Sequence, residues 1–243
     1  MSRVHQLALT LMGQFRLLMI SASHPAAARS IRRVVREKLS YLGTLSLTEL
    51  HDSVARLEKE KRAGILIEAG CALGGSALAI ASAKAASRPL YLYDVFETIP
   101  SPTERDGPDA HQRFEVIASG QATGIKGSEY YGYRKNLLDS VEKSFADFGY
   151  PVGENNIHLI KGLFQDTLAV TDPVALAHID SDWYDSVYVC LQRIVPMLVR
   201  GGTLVIDDYN AWSGCRAAVD EYFADKQDLF DFVTKTRLHI VRR

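Results

Sequence analysis

The chain has 243 residues, a formal net charge of −1, 47% apolar residues and 23% charged residues. That length suits one large α/β domain, or one domain with an extension, and allows a substantial buried core. The balanced charge and the lack of a long basic run argue against a nucleic-acid partner. Three cysteines, Cys71, Cys190 and Cys215, show no metal-ligand spacing and suit a reducing compartment, so a cytoplasmic protein is expected.

Residues up to about Arg62 read as helical. Leu7 to Ile20 is apolar-rich, but Gln14 and Arg16 interrupt it, and no apolar run reaches the about 18 residues of a membrane span. A secretory leader wants an unbroken apolar stretch before a small-residue site, and only Ala26-Ala27-Ala28 imitates one. The reading kept is one or two amphipathic helices against the rest of the chain or a second subunit. A homo-oligomer, a dimer or larger, is therefore expected, with no membrane partner. Leu47 to Lys61 follows as a helix, with Ser46 or Thr48 as its cap.

From Gly64 the pattern changes. Ile65 to Ala69 is a short apolar run between glycines, as in a buried parallel strand. Ser76 to Ala86 predicts a helix and Leu90 to Asp94 the next strand. Glu97 to Asn156 carries scattered prolines and glycines and no strand, with one helix over Asn136 to Phe148. So long a connection in a compact domain suits a lid or substrate-binding segment. Strands resume at Ile157 to Lys161, Ala175 to Asp180 and Thr203 to Asp207. A crossover helix over Tyr184 to Leu198 joins the last two. Gly214 to Asp225 is a further helix, and Phe230 to Thr234 with Leu238 to Val241 a closing hairpin. The alternation predicts an α/β, doubly wound, mostly parallel sheet. Residues 1–62 form its N-terminal helical extension, residues 63–243 the α/β domain, and residues 97–156 the insertion.

Ligands in such a sheet lie off the carboxyl ends of the strands. Glu68 ends the first strand, Gly70, Gly74 and Gly75 permit a tight turn, Ser76 is placed to cap the next helix, and Asp94 ends the second strand, where it could accept hydrogen bonds from ribose hydroxyls. The spacing E-x-G-x-x-x-G-G-S departs from the G-x-G-x-x-G of a nicotinamide dinucleotide site. It suits S-adenosylmethionine better, which carries no phosphate and whose cationic end favours a carboxylate. A ligand-free turn is the bland alternative.

Two apolar runs end in acids, Ile179-Asp180-Ser181-Asp182 and Val205-Ile206-Asp207-Asp208. Neighbouring parallel strands would bring Asp180, Asp207 and Asp208 together. Buried carboxylates are costly without a cation, and three oxygen ligands with open positions suit Mg²⁺. Asp182 could take a proton from an acceptor hydroxyl, or else cap the Tyr184 helix. Asp185 reads as a first-turn helix acid and His178 as a packed core residue. Tyr130, Tyr131 and Tyr133 line a substrate or pack a lid.

Five blocks then occur in order: Glu68-Ala69-Gly70-Cys71-Ala72-Leu73-Gly74-Gly75-Ser76, Tyr93-Asp94-Val95-Phe96-Glu97-Thr98-Ile99-Pro100, Lys161-Gly162-Leu163-Phe164-Gln165-Asp166-Thr167-Leu168, Ile179-Asp180-Ser181-Asp182-Trp183-Tyr184-Asp185-Ser186, and Ile206-Asp207-Asp208-Tyr209 followed by Cys215-Arg216-Ala217-Ala218-Val219-Asp220. Over Glu68 to Asp220 this resembles the macrocin/mycinamicin/novobiocin-type (TylF-like) O-methyltransferases, which use S-adenosylmethionine and Mg²⁺ on sugar hydroxyls of natural products. The resemblance implies a class I methyltransferase, Rossmann-like domain over 63–243. It implies metal ligands at Asp180, Asp207 and Asp208, a general base at Asp182, and a cofactor pocket at Glu68, Gly70, Ser76 and Asp94, with Phe164 near the adenine. Trp183 and Asp185 depart from the family's usual leucine and glutamate. The expected reaction is methyl transfer to a sugar or other diol hydroxyl. A catechol-type acceptor, a nicotinamide oxidoreductase and a non-catalytic small-molecule binding protein are the alternatives.

Overall fold

The computed structural model describes residues 3–243; the first two residues of the expected extension lie outside it. Three helices come first: α1 (Arg3–Ser23), α2 (Pro25–Glu37) and α3 (Thr44–Lys59). Pro25 occupies the first turn of α2, where its missing N–H is no loss. Lys38, in the left-handed conformation with φ of 56°, ends α2 by donating its N–H to the carbonyls of Val34 and Val35. Leu47, Leu50, Val54 and Leu57 share one face of α3 and are buried. That helix starts at Gly43 with no side-chain cap, so Ser46 and Thr48 lie inside it rather than at its end.

The domain alternates strands and helices: β1 (Ile65–Ala69), α4 (Gly75–Ala81), β2 (Leu90–Asp94), α5 (Pro108–Ala118), α6 (Leu137–Asp147), β3 (Ile157–Lys161), α7 (Phe164–Thr167), β4 (Val174–Ile179), α8 (Tyr184–Ile194), β5 (Leu198–Ile206), α9 (Ser213–Phe223), β6 (Phe230–Thr234) and β7 (Leu238–Arg242). The seven strands form one sheet in the order β3-β2-β1-β4-β5-β7-β6. β1 to β5 are mutually parallel, and β7 pairs antiparallel with both β5 and β6. The expected doubly wound sheet is therefore present, with β1 and β4 flanking the point where strand order reverses.

Side-chain alternation divides the core. Leu66 faces one cluster, with Leu90, Leu92 and Val205, beneath α2, α3, α4 and α6. Ile65, Ile67 and Ala69 face the other, with Ala177 and Ile179, beneath α8 and α9. Both faces are covered, so all five residues of β1 and all six of β4 are buried. The N-terminal helices thus supply part of one layer. Leu47, Leu50 and Leu57 sit in the same cluster as the strand residues.

Candidate active site

The ladder bonds continue one residue past the strands. Asp180 N–H donates to the Ala69 carbonyl at 2.8 Å, and Asp207 N–H to the Ile179 carbonyl at 2.9 Å. Those bonds set Gly70, Asp180 and Asp207 side by side at the carboxyl edge. Gly70 has φ of 89°, and a Cβ there would lie 1.8 Å from the Asp180 carbonyl oxygen. Only glycine permits that approach. Gly74 also has a positive φ, 81°, and is the residue before α4. The position expected for Ser76 shifts accordingly. It lies in the first turn of α4, buried, and Gly74 rather than Ser76 precedes the helix.

Asp94 closes the turn. Its Oδ2 accepts the N–H groups of Cys71 and Ala72, each at 2.9 Å, and its Oδ1 accepts the N–H of Phe96 at 2.7 Å. Burial raises its pKa above the usual carboxylate range despite these donors. Its carboxylate braces the glycine-rich turn while lining a cavity of 510 Å³. Gly70, Phe164, Asp180 and Asp182 line the same cavity, as do Ile99 and Pro100 of the insertion.

Glu68 takes a different position. It is fully buried within β1, directly across from His178 of β4, and His178 Nδ1–H donates to Glu68 Oε1 at 2.7 Å. His178 Nε2 lies 3.3 Å from Asp207 Oδ1, which also accepts from Arg237 Nε at 2.7 Å. Burial pulls the His178 pKa down, but Asp207 and Glu68 outweigh it and push it up to about 9. Burial likewise pushes Asp207 up, and His178 and Arg237 outweigh it, holding Asp207 below the usual range. The result is a buried row of alternating charge, Glu68, His178, Asp207, Arg237. Arg237 has no motif around it in the sequence. Its place follows from the β6–β7 turn, where Glu49 of α3 accepts the N–H of the preceding Thr236 at 3.2 Å.

The remaining acids lack such cations. Ligand atoms of Asp180, Asp182 and Asp208 lie within 4.8 Å of one another, as do those of His178, Asp180 and Asp207. Burial, then the neighbouring acids, raises Asp180 and Asp182 well above the carboxylate range and Asp208 to about 6. Oδ2 of Asp208 is buried and accepts no hydrogen bond among the described residues. An orphaned carboxylate oxygen beside two further acids is the donor set that a hard divalent cation fits.

Asp182 has φ of 55°, and its Oδ1 accepts the indole N–H of Trp212 at 2.8 Å. It does not cap α8. That helix begins after Trp183, and Asp106 Oδ1 of the insertion accepts the N–H of Tyr184 at 2.7 Å. Trp183 Nε1–H donates to the Pro100 carbonyl at 2.9 Å, and the Trp183 and Trp212 rings meet edge to face at 5.4 Å. The tyrosines divide. Tyr131 lines the cavity, whereas Tyr130 packs with Ile117 and Ala122, and the Tyr133 hydroxyl donates to the Ile117 carbonyl at 2.6 Å.

Residues 4–235 match the family model described as Macrocin-O-methyltransferase (TylF). The tetracenomycin-type relative from Streptomyces olivaceus, named 8-demethyl-8-(2,3-dimethoxy-alpha-L-rhamnosyl)-tetracenomycin-C 4'-O-methyltransferase, is 29% identical over 165 residues, 65% of this chain and 58% of that protein. Demethyldecarbamoylnovobiocin O-methyltransferase from Streptomyces niveus is 28% identical over 174 residues, 69% of this chain and 61% of that protein. The chain thus spans about three fifths of the length of these two curated relatives, 58% and 61%. Among solved structures, the O-methyltransferase NovP superposes with a TM-score of 0.69 at 21% identity, covering 84% of this chain and 81% of that one. A calicheamicin methyltransferase superposes with a TM-score of 0.59 at 18% identity, covering 96% and 91%. These two likenesses are of fold, that of the class I methyltransferases. The match over residues 4–235 is of family, and the chain belongs to the macrocin-O-methyltransferase (TylF) family.

Proposed function

We propose that the chain is an O-methyltransferase that moves the methyl group of S-adenosylmethionine to a hydroxyl of a sugar or glycosylated natural product, with Mg²⁺ at the acidic cluster. The observation that carries this reading is the single cavity running from the glycine-rich turn and Asp94 to Asp180 and Asp182. A methyl donor and an acceptor oxygen placed in one such space gain the proximity that a displacement needs. The sugar acceptor is supported by the printed activities of the two curated relatives, both O-methyltransferases and one of them named for a rhamnosyl compound.

The residues divide the work. Gly70 lets the Asp180 backbone close against the turn at the wall of the cavity, Asp94 keeps the turn in shape, and Phe164 offers an apolar ring for the adenine. Asp180 and Asp208, with Asp207 beside them, would hold the cation. Bound there, a divalent cation supplies a positive charge that makes a nearby hydroxyl more acidic. Asp182 accepts the hydroxyl proton, held in place by Trp212. The reaction joins the acceptor oxygen to the methyl carbon, breaks the carbon–sulfur bond, releases S-adenosylhomocysteine and leaves the proton on Asp182.

Titration calorimetry of S-adenosylhomocysteine into chelator-treated protein, then into protein with Mg²⁺, tests the pocket. Micromolar binding in both, followed by Mg²⁺-dependent methylation in a screen of sugar acceptors that Asp182→Asn abolishes, is the expected result. No binding in either state would reject the methyltransferase reading, and equal turnover after chelation would reject the metal.

A further inference from the structure

Arg237 reaches Asp207 by register. Ile206 of β5 pairs with Leu238 of β7 in an antiparallel ladder, so the residue after Ile206 lies across from the residue before Leu238. The turn that carries Arg237 is tight. Thr234 pairs with Leu238, and the Lys235 N–H donates to the Arg237 carbonyl at 2.9 Å. Glu49 of α3, buried, anchors that turn by accepting from both the N–H and the hydroxyl of Thr236. The guanidinium is fixed twice, with Nε on Asp207 Oδ1 at 2.7 Å and a terminal nitrogen on the Thr236 carbonyl at 3.0 Å.

The charges around it give this arginine a task. Asp180, Asp182, Asp207 and Asp208 gather at one edge of the sheet. Among the described residues, only His178 and Arg237 bring a cation within ion-pair distance of any of them, both at Asp207. His178 also pairs with Glu68 at 2.7 Å, so those two charges cancel. Arg237 is then the one fixed positive charge set against four acids. It does not line the cavity, so it stands behind the acids and outside the space for donor and acceptor.

We propose, on the reading above of a divalent cation at these acids, that Arg237 is a positioning residue for the cation site: a built-in counter-ion that steadies the acid cluster without metal and holds down its affinity for a divalent cation. Arg237 and His178 share Oδ1 of Asp207, and no donor among the described residues reaches Oδ2. A cation at these acids therefore competes with the guanidinium charge for Asp207. Loss of that charge strengthens the pull on the cation, while His178 Nε2, 3.3 Å from Oδ1, still pins the carboxylate. At a few ångströms, one unit charge alters divalent affinity by about tenfold even under near-aqueous screening.

The test is Mg²⁺ titration calorimetry of the full chain, with Mn²⁺ electron paramagnetic resonance as a second measure of bound ion. Arg237→Gln should bind Mg²⁺ about tenfold more tightly than the natural sequence and unfold at lower urea in chelator. Arg237→Lys keeps the charge and should bind Mg²⁺ as the natural sequence does. S-adenosylhomocysteine affinity in chelator should be equal in all three. Weaker Mg²⁺ binding in both variants would mean that the arginine serves geometry alone, and would overturn the counter-ion role. So would an Arg237→Gln affinity equal to that of the natural sequence. No Mg²⁺ or Mn²⁺ bound by any of the three, with S-adenosylhomocysteine still bound, would reject the metal itself and the counter-ion role with it. Should Arg237→Gln be unfolded in chelator, its refolding on addition of Mg²⁺ is the expected result, and failure to refold would overturn the role.

Discussion

The indole N–H of Trp212 donates to Oδ1 of Asp182 across 2.8 Å. One residue of the β5–α9 connection thereby fixes the carboxylate proposed to take the acceptor proton, and Oδ2 is the oxygen left for that proton. A hydrogen bond to a charged group contributes about 1.5–3 kcal/mol. Trp212→Phe keeps an aromatic ring against Trp183 and loses the donor. The expected result is a kcat lower by about 10- to 100-fold with S-adenosylhomocysteine affinity unchanged. A weaker affinity at constant kcat would assign Trp212 to cofactor binding.

Trp183, in edge-to-face contact with Trp212, ties the insertion to the same corner of the site. It is 3% exposed and ties the Pro100 carbonyl, so the stretch over Ile99 to Thr103 stays against the cavity it lines. Trp183→Phe removes one neutral hydrogen bond, about 1 kcal/mol. We expect S-adenosylhomocysteine to bind about fivefold more weakly by calorimetry, with kcat at saturation preserved. An unaltered affinity would mean that the insertion is held sufficiently by its other ties, among them Asp106 to the Tyr184 N–H and Asp109 to the Ser213 N–H at 2.8 Å.

The acid cluster makes a prediction of opposite sign with and without metal. Asp180, Asp182 and Asp208 repel one another in the absence of a cation. Asp208→Asn in chelator should therefore raise stability at pH 7 by about 1–3 kcal/mol, measured by urea unfolding. Adding Mg²⁺ should raise the melting temperature of the natural sequence and leave that of the variant nearly unmoved. A variant less stable than the natural chain in chelator would show that the cluster is relieved by shared protons instead.

His239 sets an acid limit. It is 2% exposed on β7, and burial, then Lys235, His178 and Arg56, hold its pKa down at about 3. Unfolded, it titrates near 6.5. A depressed folded pKa means that the unfolded chain binds the extra proton, so stability is intact above about 6.5 and falls as pH drops toward 3, by up to about 1.4 kcal/mol per pH unit. His239→Gln should flatten the dependence of the urea midpoint on pH between about 6 and 4. A slope equal to that of the natural sequence would place the acid sensitivity elsewhere.

Most of the frame was legible because buried parallel strands have few ways to read. β1, β2 and β3 begin and end where the apolar runs at Ile65, Leu90 and Ile157 do. The meeting of Asp180 with Asp207 and Asp208 follows from one strand, one crossover helix and the next strand. β5 starts earlier than its apolar run, at Leu198, because Gly201 and Gly202 lie within the strand rather than before it. Helix α5 was hidden by the prolines and glycines around it, and Pro108 at its first turn marks its start only once the helix is known. The partners of Glu68 and Asp182 left no local signal. His178 and Arg237 reach the acids across the sheet and from a hairpin turn, and Trp212 comes from beyond β5. Pairings of that kind depend on register and not on spacing along the chain.

Trp183 and Trp212 are the chain's two tryptophans. Both indoles stand beside Asp182, with ring centres 5.4 Å apart and each N–H already engaged. Ultraviolet emission from the whole protein excited at the red edge therefore originates from one spot, and at that separation the two rings exchange excitation. The partners of those N–H groups, Pro100 and Asp182, line the cavity, so a molecule entering it is expected to alter the brightness and colour of the emission without any dye being attached. The natural sequence thus carries its own optical probe of the corner around Asp182, and each single tryptophan variant isolates one of the two indoles.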